Sequence, residues 1–158
     1  MLILGIDPGT AETGLGIIST APNTKLVFHT CITTPKTASP ENRLQQIFVA
    51  LTESIKHHQP QVLAMESLFF ATNAKTVMAV GQAMGVVMLA AAQAQIPVIK
   101  YSPLQVKRVI TGNGKAEKSF LQERVRKLLR LKAPPRPQHA ADALAVALCH
   151  FLTNSNLA

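Results

Sequence analysis

Apolar positions along this chain come in two rhythms. The short runs "LILGI" at 2–6 and "LGII" at 15–18, separated by Pro, Gly and Thr, predict two strands, and "KLVFHTCITT" from Lys25 alternates like a third. Short connections make these three an antiparallel meander. After Pro40 the rhythm changes: Leu44, Ile47, Phe48, Leu51 and Ile55 recur at helical spacing, with Glu41 early, where a helix N-terminus favours negative charge. "QVLAME" then predicts a buried strand ending at Glu66, a long neutral helix occupies roughly 74 to 95, "PVIKY" is another buried strand, and helices fill much of the remainder.

Three strands, helix, strand, helix, strand and further helices predict an α/β fold, a five-stranded mixed sheet covered by helices on both faces. Strands 1, 4 and 5 should run parallel. Ligands in such sheets gather outside the carboxyl ends of strands, where Asp7 and Glu66 both fall. A single domain over 1–152 is expected, with no repeat or linker. "APPRP" at 133–137 is a rigid approach to the final helix, and "TNSNLA" at 153–158 reads as a frayed tail.

From Thr76 to Ile99 no residue is charged, a length that could span a bilayer. Its Ala, Gly, Met and Val are interrupted by Gln82, Gln93 and Gln95, and a strand follows at once, so a buried helix of a soluble protein with no membrane partner is the reading. Cys31 and Cys149 show no paired spacing and read as buried free thiols. With no basic segment ahead of the first apolar run, no secretory signal is expected, and a reducing cytoplasm fits both observations.

Charge narrows the chemistry. Sixteen Lys and Arg against eight Asp and Glu, among 158 residues, draw polyanions, so nucleic acid, an anionic membrane surface or an acidic protein are plausible partners. Acids are scarce, yet Asp7, Glu66 and Asp142 each interrupt an apolar stretch. Asp7 doubles as a turn residue in "DPGT". Asp142 reads as lying in the first turn after Pro137, where the helix dipole favours a negative side chain. Glu66 has no basic neighbour in sequence. His139 shares no such account, because a helix N-terminus disfavours imidazolium and leaves a neutral ring with a nitrogen free to accept or to ligate. His139 and Asp142 lie at i and i+3, on one helix face. Converging carboxylates repel one another, and divalent ions remove that conflict. Oxygen ligands select Mg²⁺ or Mn²⁺, and two such ions suit in-line hydrolysis of a phosphodiester, which points to a nuclease.

Five segments carry a family resemblance: "GIDPGTAETGLGII" at 5–18, "MESLFFATN" from Met65, "GQAMGV" from Gly81, "YSPLQVKRVITGNGKAEK" from Tyr101 and "PQHAADALAVALCH" from Pro137. Together they resemble the RuvC family of bacterial Holliday-junction resolvases, ribonuclease-H-like nucleases, across nearly the whole chain. The resemblance implies a metal site of Asp7, Glu66, His139 and Asp142, two Mg²⁺ ions that Mn²⁺ can replace, and paired nicks on opposed strands of a four-way DNA junction, leaving 5′-phosphate and 3′-hydroxyl ends. Many members carry Asp where His139 stands. That departure leaves direct ligation, base and phosphate contact all open for His139. The rivals are a related nuclease of the pre-ribosomal-RNA-processing type and a non-catalytic junction-binding protein.

From Lys100 to Arg136 the chain holds eleven Lys or Arg against Glu117 and Glu123. Arg124, Lys127 and Arg130 fit a solvated helix face as well as a nucleic-acid contact. Lys118 follows "GNGKAE", where glycines and a helix start favour phosphate, and the resemblance places Lys107 and Lys118 on DNA, with Lys115 and Arg108 as further contacts. Phe69 and Phe70 fit core packing, but the resemblance points to Phe69 as a wedge stacking in the junction. It also implies a homodimer through the long helix, with Gly81, Met84, Gly85 and Met88 at the interface, and RuvA–RuvB as branch-migration partners.

Overall fold

A computed structural model describes residues 1–67 and 74–155. Phe69 and Phe70 lie outside the described residues. The sheet has the order β3-β2-β1-β4-β5. β1 (Leu2–Asp7), β2 (Glu12–Ser19) and β3 (Lys25–Thr33) form the antiparallel meander, and β4 (Val62–Glu66) and β5 (Val98–Tyr101) continue it in parallel with β1. The helices are α1 (Pro40–His58), α2 (Ala74–Gln93), α3 (Pro103–Thr111), α4 (Lys118–Leu128) and α5 (Gln138–Ser155). Among the described residues no helix is long and apolar enough to cross a membrane.

The period of two along each strand divides the core into two layers. Leu4 and Ile6 of β1, Leu15 and Ile17 of β2, and Leu63 and Met65 of β4 meet α1 and α2. Their neighbours Ile3, Ile18, Val62 and Ala64 face the other way, against α3, α4 and α5. Asp7, Glu12 and Glu66 share the parity of this second set. All three acids therefore belong to the α5 face, at one end of the sheet.

α5 reaches that face by an unusually close approach. A Cβ on Gly5 would collide with the Ala143 carbonyl, and one on Gly14 with the carbonyl of His139. Only glycine lets the helix backbone rest on the strands at these two points. Farther along α5, the Tyr101 hydroxyl meets His150 Nδ1 at 2.9 Å, which satisfies two polar groups in an apolar layer.

Four expectations change. β5 is not a buried strand: Ile99 and Lys100 are exposed, because β5 is the other edge of the sheet. α5 continues through Thr153–Ser155 rather than fraying at 153, with the Asn154 amide donating to the His150 carbonyl at 2.8 Å. Cys31 is half-buried rather than buried, because β3 is an edge strand. Met84 is turned into the core and is not free to meet a second copy. The exposed stripe of α2 runs instead through Met78, Gln82, Gly85, Leu89 and Ala92, at helical spacing, with Met88 beside it.

Candidate active site

β1 ends at Asp7 and β4 at Glu66, and the parallel register pairs Ile6 with Met65, so the next residues on each strand are these two carboxylates. α5 lies across them and contributes His139 and Asp142. The four side chains line one cavity of about 340 Å³ together with Lys107 of α3, Lys118 of α4 and the apolar Pro103, Val106 and Leu121. Ligand atoms of Asp7, His139 and Asp142 all lie within 4.8 Å of one another.

The electrostatics are those of a crowded anionic site. Burial pushes Glu66 up to about 7, and the charges of Asp7 and Asp142 add to the rise while Lys118 and Lys107 oppose it. Asp7 is also raised, first by burial, against the lowering effect of its hydrogen bond with His139. Lys118 Nζ sits 2.6 Å from Asp142 Oδ2. A positive charge thus already occupies part of the space between the acids. Three carboxylates and one imidazole form a set dominated by hard oxygen donors, short of counter-charge and beside a cavity, which fits a divalent cation.

Two local expectations are revised. α5 begins at Gln138 and has no acid in its first turn, so Asp142 lies beyond reach of the simplest dipole account. His139 has a carboxylate beside each ring nitrogen: Nδ1 is hydrogen-bonded with Asp7 Oδ2 at 2.7 Å, and Nε2 lies 3.2 Å from Glu12 Oε2 without hydrogen-bond geometry. Glu12 was not among the sequence candidates. Its signal was strand parity, since Glu12, Gly14 and Gly16 share the face on which α5 rests.

The basic residues divide. Lys107 and Lys118 line the cavity, whereas Arg108 and Lys115 are exposed and do not. Lys115 belongs to the α3–α4 turn, where its backbone amide donates to Asn113 Oδ1 at 2.9 Å. α3 is held by a capping box of Ser102 and Gln105, which fixes the helix that carries Lys107.

A family model described as crossover junction endodeoxyribonuclease RuvC matches residues 3–150. The chain belongs to the RuvC family. The RuvC of Moorella thermoacetica is 49% identical over 151 residues, 95% of this chain and 90% of that protein. The Thermus thermophilus RuvC structure superposes with a TM-score of 0.91 at 35% identity, covering 99% of this chain and 96% of that one. The same protein in complex with a Holliday junction substrate gives 0.90 at 33% identity, again covering 99% and 96%. The ribonuclease-H-like mixed sheet with helices on both faces is therefore the RuvC fold.

Proposed function

We propose that this protein is a structure-selective endonuclease that resolves Holliday junctions by hydrolysing phosphodiesters on two opposed strands. The carrying observation is the convergence of Asp7, Glu66, His139 and Asp142 from three separate elements around one cavity edged by lysines, in a chain of the RuvC family.

Asp7, Glu66 and Asp142 would hold Mg²⁺, two ions per site, with Mn²⁺ able to replace it and His139 as the fourth side chain. When bound, the ions supply charge neutralisation and Lewis acidity for in-line attack by water. The chain's own groups do the rest. Lys107 and Lys118 offer positive charge to the strand phosphates at the cavity edge, and Pro103, Val106 and Leu121 form an apolar wall that limits water. Arg108 and Lys115 extend the basic surface outward to the flanking backbone. Phe69 completes the proposal as a stacking residue on the family resemblance alone.

A four-way junction has near-twofold symmetry, which a homodimer matches. The exposed apolar stripe of α2 supports that assembly: Met78 is 68% and Leu89 53% exposed, and Gly85 has open space around its Cα. Gly85 and Met88 remain in the proposed interface and Gly81 flanks it. Engagement with RuvA–RuvB follows from family membership only.

A synthetic mobile junction incubated with Mg²⁺, Mn²⁺ or chelator tests the reading. Symmetric paired nicks that need metal and spare plain duplex are the expected result. No metal-dependent cutting of the junction would overturn it.

A further inference from the structure

His139 has a carboxylate at each ring nitrogen: Asp7 is hydrogen-bonded with Nδ1, and Glu12 Oε2 approaches Nε2 to 3.2 Å. Only Asp7 belongs to the cavity of the acidic cluster. Glu12 lines a neighbouring cavity of about 450 Å³ between the β1–β2 turn and α2, and His139 is the side chain that borders both spaces.

Strand parity explains why an acid stands there. On the α5 face of β2, Gly14 and Gly16 have no side chain, so Glu12 is the first residue at that end able to reach upward. α5 rests on Gly14 at the carbonyl of His139 itself, which fixes the backbone of the histidine but not its ring. A single contact at Nδ1 would let the ring swing about it. A second carboxylate beside the opposite nitrogen opposes that rotation, as partners of the outer nitrogen do for histidines in metal sites.

We propose that Glu12 is a positioning residue of the active site, holding the Nε2 edge of His139 so that the ring keeps its Nδ1 face toward Asp7. This rests on the reading of the cluster as the junction-cleaving site. Glu12 itself is 46% exposed, and its backbone pairing with Thr33 survives substitution, so variants at this position fold.

The test combines rates with a readout that does not need cleavage. Glu12→Ala lowers kcat about fivefold with KM unchanged, and Glu12→Gln, which keeps an oxygen of the same reach beside Nε2, stays within about twofold of wild type. In a His139→Asp background no ring remains to be held, and Glu12→Ala has no further effect. In histidine-labelled, metal-free protein, Glu12→Ala shifts the ¹⁵N ring signals of His139 and leaves those of His29, His57, His58 and His150 in place. Unmoved His139 signals, wild-type kcat in Glu12→Ala, or an equal loss in both backgrounds would each overturn the proposal. A wild-type protein that cuts no junction but shows the ring shift would instead sink the functional reading and leave the Glu12 clamp standing.

Discussion

Lys118 Nζ lies 2.6 Å from Asp142 Oδ2, so a residue placed by sequence on the DNA side of the cleft also neutralises a carboxylate of the proposed metal site. The lysine is 47% exposed and the carboxylate 13%, an arrangement in which the long side chain can leave without exposing a buried charge of its own. As a placeholder cation, Lys118 would compete with a divalent ion for Asp142 and, once displaced, would be free to meet a strand phosphate.

Lys118→Met therefore separates two effects. Removing the placeholder raises divalent-cation affinity in the absence of DNA by about threefold, because a competing positive charge is gone. The same variant binds junctions less tightly and shows a shallower salt dependence. Calorimetry with Mn²⁺ and binding titrations at several salt concentrations check the pair of outcomes; reduced metal affinity would contradict the placeholder role.

Glu66 makes the metal-free protein sensitive to alkali. Its carboxyl titrates at about 7 in the fold against 4.5 for an ordinary glutamate, so the folded state binds the proton more tightly than the unfolded one. The associated stability is complete below pH 4.5 and is lost as pH rises through 7. In chelator, Glu66→Gln is accordingly more stable than wild type at about pH 8, by roughly 2 to 3 kcal/mol, and the gap closes toward pH 4.5. Saturating Mg²⁺ reverses the order at high pH, since ions favour the ionised carboxylate. Denaturant titrations across this range decide it, and parallel curves for the two proteins would refute it.

Gly14→Ala costs about 3 kcal/mol or more, because the new methyl group meets the His139 carbonyl and backbone has no rotamer with which to yield. Cleavage falls further than stability does, as His139 and Asp142 move away from the strand ends together. Gly85→Ala is the contrasting case. Nothing in the same chain lies within 4 Å of its added methyl, so for the isolated protomer helix propensity makes the variant more stable by about 0.5 to 1 kcal/mol. Thermal midpoints of both variants, with junction cleavage of the first, provide the check.

Leu89→Lys tests the assembly. The side chain is exposed, so the monomer keeps its stability within about 0.5 kcal/mol, while a buried cation on the α2 stripe converts a dimer to monomers. Sedimentation velocity reads the mass. A variant that remains dimeric would move the interface elsewhere.

Much of this molecule was legible in its sequence for a simple reason: β1, β2 and β4 are buried and α1, α2 and α5 are long. The meander, the parallel β4 and β5, and the acids at the ends of β1 and β4 follow from periodicity and punctuation. Met84 and Glu12 mark where that reading ends. An almost wholly apolar helix such as α2 carries little sign of which stripe faces the sheet, so choosing Met84 over Leu89 needed the coordinates. Glu12 stands just ahead of the second apolar run with nothing local to mark it, and its value depends on a contact with α5 from the far end of the chain. Lys118 and Asp142 are each legible by motif, but their pairing across 24 residues is not.

The rest of α5 on bare strand backbone at Gly5 and Gly14 has a thermal consequence. A helix cushioned by side chains can loosen by degrees, as rotamers are released one at a time on warming. Backbone lying directly on backbone has no such intermediate slack. The spacing between the strand-end carboxylates and those of the helix should hold almost unchanged up to the temperature at which α5 lifts off as a unit, so that catalytic competence ends in one cooperative step rather than fading.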